Sequence, residues 1–167
     1  MPHRANKFVV AGGLMCAFAD LLAIVSLVTP DWIVNNFFGF VRFGLTTLCQ
    51  EPEEGEVLCV TPKLSQSWKA TLVFLVFAVL TLTLVCGLIV ASFWKPKAFE
   101  YAKWVTVVAS MQLCLASMVF PIGFGSPEIG GMPFKLPPNN SLGSSYVCFI
   151  LAIIFTLFGG LCMRKVR

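Results

Sequence analysis

Charged side chains are scarce in this 167-residue chain, where they make up 12% of the residues, whereas hydrophobic residues make up 57%. A soluble domain carries about 25% charged residues. This shortage, together with a mean hydropathy of +0.85, is typical of a membrane protein. The net charge is only +4, and no basic patch interleaved with aromatic residues and no zinc-finger spacing is present. We therefore expect no nucleic-acid partner.

Histidine is almost absent, because His3 is the single one and lies near the N-terminus. No nucleophile-and-base pair is visible as a result. The glycine-rich stretch 120–131 contains Gly-Phe-Gly, but Glu128 stands where a dinucleotide-binding fingerprint needs glycine, and the stretch follows a helix, which excludes a phosphate loop. Four glutamates crowd the segment from Glu51 to Glu56, where a solvated turn is favoured over a cation site. We expect no catalytic residue, no cofactor, no metal site and no enzymatic activity.

Four apolar runs are long enough to cross about 30 Å of hydrocarbon, which takes about 20 residues in a helix. They cover residues 8–29, 72–94, 104–123 and 145–163. No strict alternation of apolar and polar residues runs through them, which argues against a membrane β-barrel. The first run exceeds the roughly 7 to 15 residues of a signal-peptide core, so an uncleaved first span is favoured over a signal peptide. Residues 1–167 then form a single four-span membrane domain.

Lysine and arginine residues near the span ends predict the orientation. Eight of the twelve lie in the N-terminal tail, in the connection between the second and third runs, and in the C-terminal tail. The other four are spread over the longer segments 30–69 and 124–144. We therefore expect both termini in the cytoplasm, two outer loops at 30–69 and 124–144, and a tight antiparallel hairpin of the second and third spans.

The first outer loop contains two runs rich in β-forming residues, FFGFVRFGLTTLC and EVLCVTPKL, on either side of the polar segment QEPEEGE. This order predicts a strand, a turn and a strand. An isolated hairpin is marginally stable in water, and Cys49 and Cys59 flank the turn. We expect a disulfide between them in an oxidising compartment, with two free thiols or half of a metal site as the alternatives. Trp32, just after Pro30, is typical of an interfacial anchor.

Asp20 lies inside the first apolar run, where a carboxylate is costly unless it is protonated, paired or facing water. A hydrogen bond to another span, for instance to Gln112 or Ser110, is favoured over a contact with a partner or an ion. Small residues in the first and fourth runs permit close helix approach, either within the bundle or against a partner. These residues are Gly12, Gly13, Gly159 and Gly160.

Two positions are candidates for covalent modification. Asn139 begins a glycosylation sequon with Asn140 and Ser141 in the second outer loop, close to the fourth span. Cys162 precedes Met-Arg-Lys at the cytoplasmic end of the fourth run, where S-acylation is chemically feasible. The alternative for Cys162 is a small apolar side chain within the bundle.

Part of the first outer loop resembles the claudin and peripheral-myelin-protein superfamily, whose signature is W, then G-L-x-x-C, then a second C. Trp32, Gly44, Leu45, Cys49 and Cys59 supply these elements. The pattern departs from the signature because three residues separate the G-L pair from the first cysteine, and threonine follows G-L where claudins carry W. The chain also ends in MRKVR instead of a longer tail with a PDZ-binding motif. These departures argue against a barrier or pore at tight junctions.

A closer resemblance covers most of the chain and rests on the stretches TPDW, CGLIVASFW, YAKW, FPIGF, GGMPFKLP and GSSYV. On these motifs the chain resembles the family of modulators of smoothened, small four-span relatives of the claudins. The resemblance implies attenuation of Hedgehog signalling, in which Smoothened is lowered at the cell surface and primary cilium. It also implies two partners, a single-pass receptor and a RING-type ubiquitin ligase.

We predict a left-handed four-helix membrane bundle topped by a small extracellular β-sheet, and the resemblance implies about four strands from the first outer loop and one from the second. The protein is then a non-catalytic adaptor of the plasma membrane, whose short tails leave little room for a cytoplasmic docking motif. Its outer sheet and lipid-facing grooves would bind another membrane protein. The predicted partner face comprises Trp32, Glu128, Ile129 and Phe134. A claudin-like junctional or channel-regulating tetraspan protein is the alternative.

Overall fold

Four long helices dominate the computed structural model of the chain, which describes residues 7–35, 40–51, 56–125, 129–138 and 140–165. They are α1 (Lys7–Val28), α2 (Gln66–Ala91), α3 (Lys97–Val119) and α4 (Ser144–Arg164). Each is long and apolar enough to span a membrane. Large apolar side chains such as Leu14 and Leu80 are exposed on the surface of the helices, as expected where lipid covers the protein. The prediction of four helices that could each span a membrane is thus confirmed, whereas the left-handed twist of the bundle and its likeness to claudins stay predictions.

Helices α2 and α3 begin earlier than the apolar runs from which they were predicted. Gln66 is six residues before position 72, and Lys97 is seven residues before position 104. Ser65 caps α2, because its hydroxyl accepts a hydrogen bond from the backbone N–H of Trp68 at 3.4 Å, and a serine cap stabilises a helix start. Hydropathy misses these first turns because they contain lysine and other polar residues. Only residues 92–96 remain between α2 and α3.

Five short strands form one antiparallel sheet at the end of the bundle where α1 and α3 finish and α2 and α4 start. They are β1 (Ile33–Asn35), β2 (Phe40–Phe43), β3 (Leu48–Glu51), β4 (Leu58–Val60) and β5 (Asn140–Leu142). Their order in the sheet is β4-β3-β2-β1-β5. Four strands therefore come from the segment 30–69 and one from 124–144, as the resemblance implies. Cys49 lies opposite Cys59 in the register of β3 and β4, and the predicted disulfide joins them.

Glycines bring α1 and α4 into close contact. A Cβ atom on Gly12 would lie 2.7 Å from Cγ of Met163, and one on Gly159 would lie 2.8 Å from Sγ of Cys16. Both distances are shorter than van der Waals contact, so a larger residue at either position would displace Met163 or Cys16. Gly13 likewise faces Ile89 of α2, and Gly160 faces Thr106 of α3. All four glycines singled out in the sequence therefore pack within the bundle, which decides between the two alternatives for them.

Candidate interaction surface

Trp32 joins the sheet to the helices. Its side chain is 1% exposed, and its indole N–H donates a hydrogen bond of 2.7 Å to the carbonyl of Ser26. Its ring lies 4.8 Å from that of Phe120 and 5.3 Å from that of Phe149. A buried indole with a satisfied N–H contributes strongly to packing. Trp32 is thus a core residue, in contrast to the membrane-interface or partner-facing position predicted from the sequence.

The G-L pair of the superfamily signature holds the sheet against the end of α1. A Cβ atom on Gly44 would lie 2.6 Å from Cα of Pro30 and 2.7 Å from the carbonyl oxygen of Thr47. Leu45 is buried beside it in the core shared by the sheet and the helices. The following Thr46 donates a hydrogen bond of 3.2 Å to the carbonyl of Leu27. This part of the signature therefore serves packing, and it offers no exposed side chain to a partner.

The glycine-rich stretch after α3 forms a 3₁₀ helix over Phe120–Gly125. Trp68 of α2 packs on it, since its indole N–H donates a hydrogen bond of 3.3 Å to the carbonyl of Phe120. A side chain at Gly123 would overlap the same indole ring. Ile129 is also buried, whereas Glu128 lies outside the described residues. Residues 120–125 therefore pack against α2, and Ile129 does not lie on the exposed surface predicted for it.

Residues 132–135 form a tight turn, here called the 132–135 turn, that presents apolar side chains to the surface. The backbone N–H of Met132 donates to the carbonyl of Lys135 at 3.1 Å, and that of Lys135 donates to the carbonyl of Met132 at 2.9 Å. Phe134 has a φ of 64°, a value that costs a non-glycine residue about 1 to 2 kcal/mol. Its side chain is nevertheless 70% exposed. Of the predicted partner-face residues, Phe134 is the one with an exposed aromatic ring.

One edge of the sheet, strand β4, is a second exposed apolar feature. Strand β4 lies at one end of the strand order and pairs with β3 alone. Leu58 and Val60 on β4 and the preceding Val57 are exposed. An edge strand of this kind can pair with an extended segment of another chain. The 132–135 turn and β4 are thus two of the apolar features that the sheet-bearing end exposes, and Leu142 on β5 is a further exposed residue there.

Asp20 of α1 is hydrogen-bonded to α2. The hydroxyl of Thr83 donates to Oδ2 of Asp20 at 3.0 Å. The interhelical hydrogen bond predicted for Asp20 is therefore present, but neither Gln112 nor Ser110 makes it. Gln112 instead accepts a hydrogen bond from Thr81 at 2.8 Å, and Ser110 donates to a carbonyl of its own helix. The direction in which each side chain faces around its helix axis decides these pairs.

Of the two predicted modification sites, the structure describes Cys162 and the residues that follow Asn139, and these lie at opposite ends of the helices. Asn139 lies outside the described residues, but the other members of its sequon, Asn140 and Ser141, belong to edge strand β5, and Ser141 is exposed. Cys162 is partly exposed in the last turn of α4. Glycosylation of Asn139 and S-acylation of Cys162 both stay predictions. Within the described residues, no group of three His, Cys, Asp or Glu side chains is placed to hold a metal ion.

A family model described as Attenuator of Hedgehog matches residues 29–167. The match begins directly after the last residue of α1 and includes the sheet, the disulfide, the 132–135 turn and the other three helices. Asp20 precedes it. This is a family of signalling regulators and not a known family of enzymes. On a match of this length, the chain belongs to the Attenuator of Hedgehog family, whose function is to attenuate Hedgehog signalling.

Proposed function

We propose that the protein attenuates Hedgehog signalling as a non-catalytic multi-pass adaptor that lowers Smoothened at the cell surface and the primary cilium. It would do so with two partners, a single-pass receptor and a RING-type ubiquitin ligase. In this proposal the sheet-bearing end faces the outside of the plasma membrane, and both termini are cytoplasmic. The family match supports the role in Hedgehog signalling, and the four apolar helices support membrane-protein partners.

The observation that carries the adaptor proposal is the conformation of Phe134. A strained backbone persists only where the surrounding structure holds it, and here the N–H of Phe134 donates to the carbonyl of Pro121 at 2.9 Å. In this conformation the ring of Phe134 lies on the surface, and the side chain of Met132 in the same turn is also exposed. Large aromatic residues supply a disproportionate share of binding energy at protein interfaces. We therefore assign the 132–135 turn to the contact with the receptor.

Two substitutions of Phe134 separate binding from folding. Phe134→Gly removes the ring and also relieves the positive φ, because glycine adopts this conformation without a steric cost. Phe134→Ala removes the ring alone. We expect both variants to reach the membrane in normal amounts, with Phe134→Gly at least as stable as the wild type. Loss of an aromatic anchor costs about 2 kcal/mol or more, which corresponds to a roughly 30-fold weaker association.

The experiment is affinity purification in mild detergent from ciliated cells, with Smoothened at the cilium measured in parallel. Phe93→Ala is the matched control, because it truncates another exposed aromatic ring, in the connection between α2 and α3 at the opposite end of the helices. We expect wild type and Phe93→Ala to recover a receptor and ligase assembly, and both Phe134 variants to lose it while ciliary Smoothened rises. Undiminished recovery by both Phe134 variants would contradict the assignment. Recovery of the protein alone, with strands at cell contacts, would instead support the claudin-like junctional alternative.

A further inference from the structure

Charge at the end of the helices opposite the sheet is almost all positive. Among the described residues at this end, Glu100 is the one acidic side chain, and it pairs with Lys103 at 3.0 Å. The cationic side chains there are Lys7, Lys95, Lys97, Lys103, Arg164 and Lys165. Such an excess of one sign raises the local concentration of ligands of the opposite sign. This end of the helices is therefore suited to an anionic ligand.

A cleft lies at this end, between the start of α3 and the end of α4. Its volume is about 420 Å³, and it is lined by Glu100, Lys103, Trp104 and Arg164. Arg164 is exposed, whereas the side chain of Lys103 is 16% exposed. The ammonium of Lys103 lies 4.8 Å from the centre of the Phe99 ring and also contacts Glu100. These contacts hold Lys103 and Glu100, so the cleft presents a preformed arrangement of two cations and one carboxylate.

The cleft lies at the depth of the lipid headgroups. Lys103 directly precedes the apolar run 104–123, and Arg164 directly follows the run 145–163. Both cations therefore lie where the hydrocarbon of the membrane ends. Trp104 is 70% exposed at the same level, and tryptophan is enriched at this boundary in membrane proteins. Lipid phosphates are consequently the anions closest to the cleft.

We propose that this cleft binds the headgroup of phosphatidylserine. Basic pockets between spans bind anionic headgroups, and the guanidinium of Arg164 can donate two parallel hydrogen bonds to a phosphate. The serine headgroup also carries a carboxylate, which Lys103 attracts, and an ammonium. Glu100, whose side chain is 68% exposed, accepts hydrogen bonds from that ammonium. A lipid with several phosphates fits less well, because Glu100 repels its additional negative charge.

This inference goes beyond the proposed function, because its ligand is a lipid and not a protein. Phosphatidylserine is an anionic lipid of the cytoplasmic leaflet, which agrees with the proposed orientation. The cleft and the 132–135 turn lie at opposite ends of the helices. A lipid-binding measurement on the purified protein involves no receptor, ligase or Smoothened. A negative result there counts against the cleft, whereas a negative result in the cell purification counts against the adaptor function.

The test is native mass spectrometry of the full-length protein in detergent micelles, with each lipid titrated separately and with the acyl chains kept the same. We expect phosphatidylserine to bind the wild type about tenfold more tightly than phosphatidylcholine, which has no net charge. It should also bind more tightly than phosphatidylglycerol, which carries a phosphate but no ammonium. Phosphatidylinositol bisphosphate should bind more weakly than phosphatidylserine.

Two substitutions examine the individual contacts. Arg164→Gln should lower the affinity for phosphatidylserine about tenfold. Lys165→Gln is the matched control, because it removes a positive charge from the next residue, which does not line the cleft, and it should bind like the wild type. Glu100→Gln should abolish the preference for phosphatidylserine over phosphatidylglycerol while both lipids still bind. Such a change of selectivity cannot arise from misfolding, and thermal unfolding of each variant shows that it is folded.

Equal binding of phosphatidylserine and phosphatidylcholine to the wild type would overturn the inference. Equal losses in Arg164→Gln and Lys165→Gln would overturn it too, because they would show that the whole positive end attracts the lipid without a defined site. The assignment of the serine headgroup would be wrong if Glu100→Gln kept the preference over phosphatidylglycerol. It would also be wrong if phosphatidylinositol bisphosphate bound more tightly than phosphatidylserine.

Discussion

The rings of Trp32 and Phe120 lie 4.8 Å apart, and this contact connects the start of the sheet to the end of α3. Phe120 is also stacked on Trp68, with ring centroids 5.7 Å apart, and on Tyr146, at 5.4 Å. Side chains from α2, from α4 and from the segment between α1 and β1 thus meet around the phenyl ring of Phe120. The surface that carries the 132–135 turn and β4 is held on the helices by this aromatic cluster.

Trp32→Ala should destabilise the protein more than any truncation on its surface. Removal of a buried tryptophan side chain costs about 3 to 5 kcal/mol, and here it also leaves the carbonyl of Ser26 without its donor. Thermal or denaturant unfolding in detergent micelles would measure the loss. Trp104→Ala is the matched control, because that side chain is 70% exposed and its loss should change stability little. Similar losses in the two variants would show that Trp32 is not the link described here.

Loss of the disulfide should loosen the sheet without affecting the helices. Closing the loop between Cys49 and Cys59 restricts the unfolded chain and stabilises the fold by about 2 to 3 kcal/mol. We expect Cys49→Ser, Cys59→Ser and the double variant to reach the cell surface in smaller amounts. Cys148→Ser, which changes a cysteine outside the disulfide, should behave like the wild type. Unchanged surface amounts, with no disulfide detected by comparing reduced and non-reduced protein, would refute the prediction.

Bulky residues at the contact between α1 and α4 should destabilise the bundle. In Gly159→Leu the new side chain would meet Cys16 and the backbone of Gly12, and overpacking of this kind costs about 1 to 3 kcal/mol. Gly87→Ala is the matched control within a span, because its Cβ has open space. Unfolding in detergent should therefore show a loss for Gly159→Leu and none for Gly87→Ala. Tolerance of leucine at position 159 would mean that α1 and α4 are not in close contact.

The sequence predicted the elements better than it predicted which residues are exposed. Apolar runs and β-forming runs are local properties, so the four apolar helices and a hairpin with Cys49 and Cys59 follow from them, whereas the number of strands was implied by the resemblance alone. The burial of Trp32 is not a local property, because it depends on the packing of Phe120 and Phe149 around its indole ring. The hydrogen-bond partner of Asp20 within the bundle is likewise not a local property of the sequence. A helix that is apolar on all sides gives no indication of which face meets which neighbour, so Thr83 could not be preferred over Gln112.

The positive φ of Phe134 was also not predicted from the sequence. Positive φ is expected at glycine, and Gly130 does adopt a φ of 69°, whereas nothing in the sequence marks Phe134 for the same conformation. The hydrogen bond to the carbonyl of Pro121 is a contact across the loop, and no spacing rule indicates it. Phe134 was nevertheless among the candidates for the partner face, because it lies in the second outer loop, beside the predicted sheet.

Glycosylation of Asn139 would test the orientation of the whole bundle. Oligosaccharide is transferred only in the lumen, so a glycan at this position places the sheet-bearing end outside the cell. We expect the wild type to shift on a gel after treatment with a glycosidase, and Asn139→Gln to lose that shift. Asn140→Gln is the matched control, because it changes the middle residue of the sequon and leaves the acceptor and Ser141 in place. Ser141 is exposed on edge strand β5, so Ser141→Ala should remove the glycan and leave the fold intact. A wild-type protein that the glycosidase leaves unshifted would contradict the prediction.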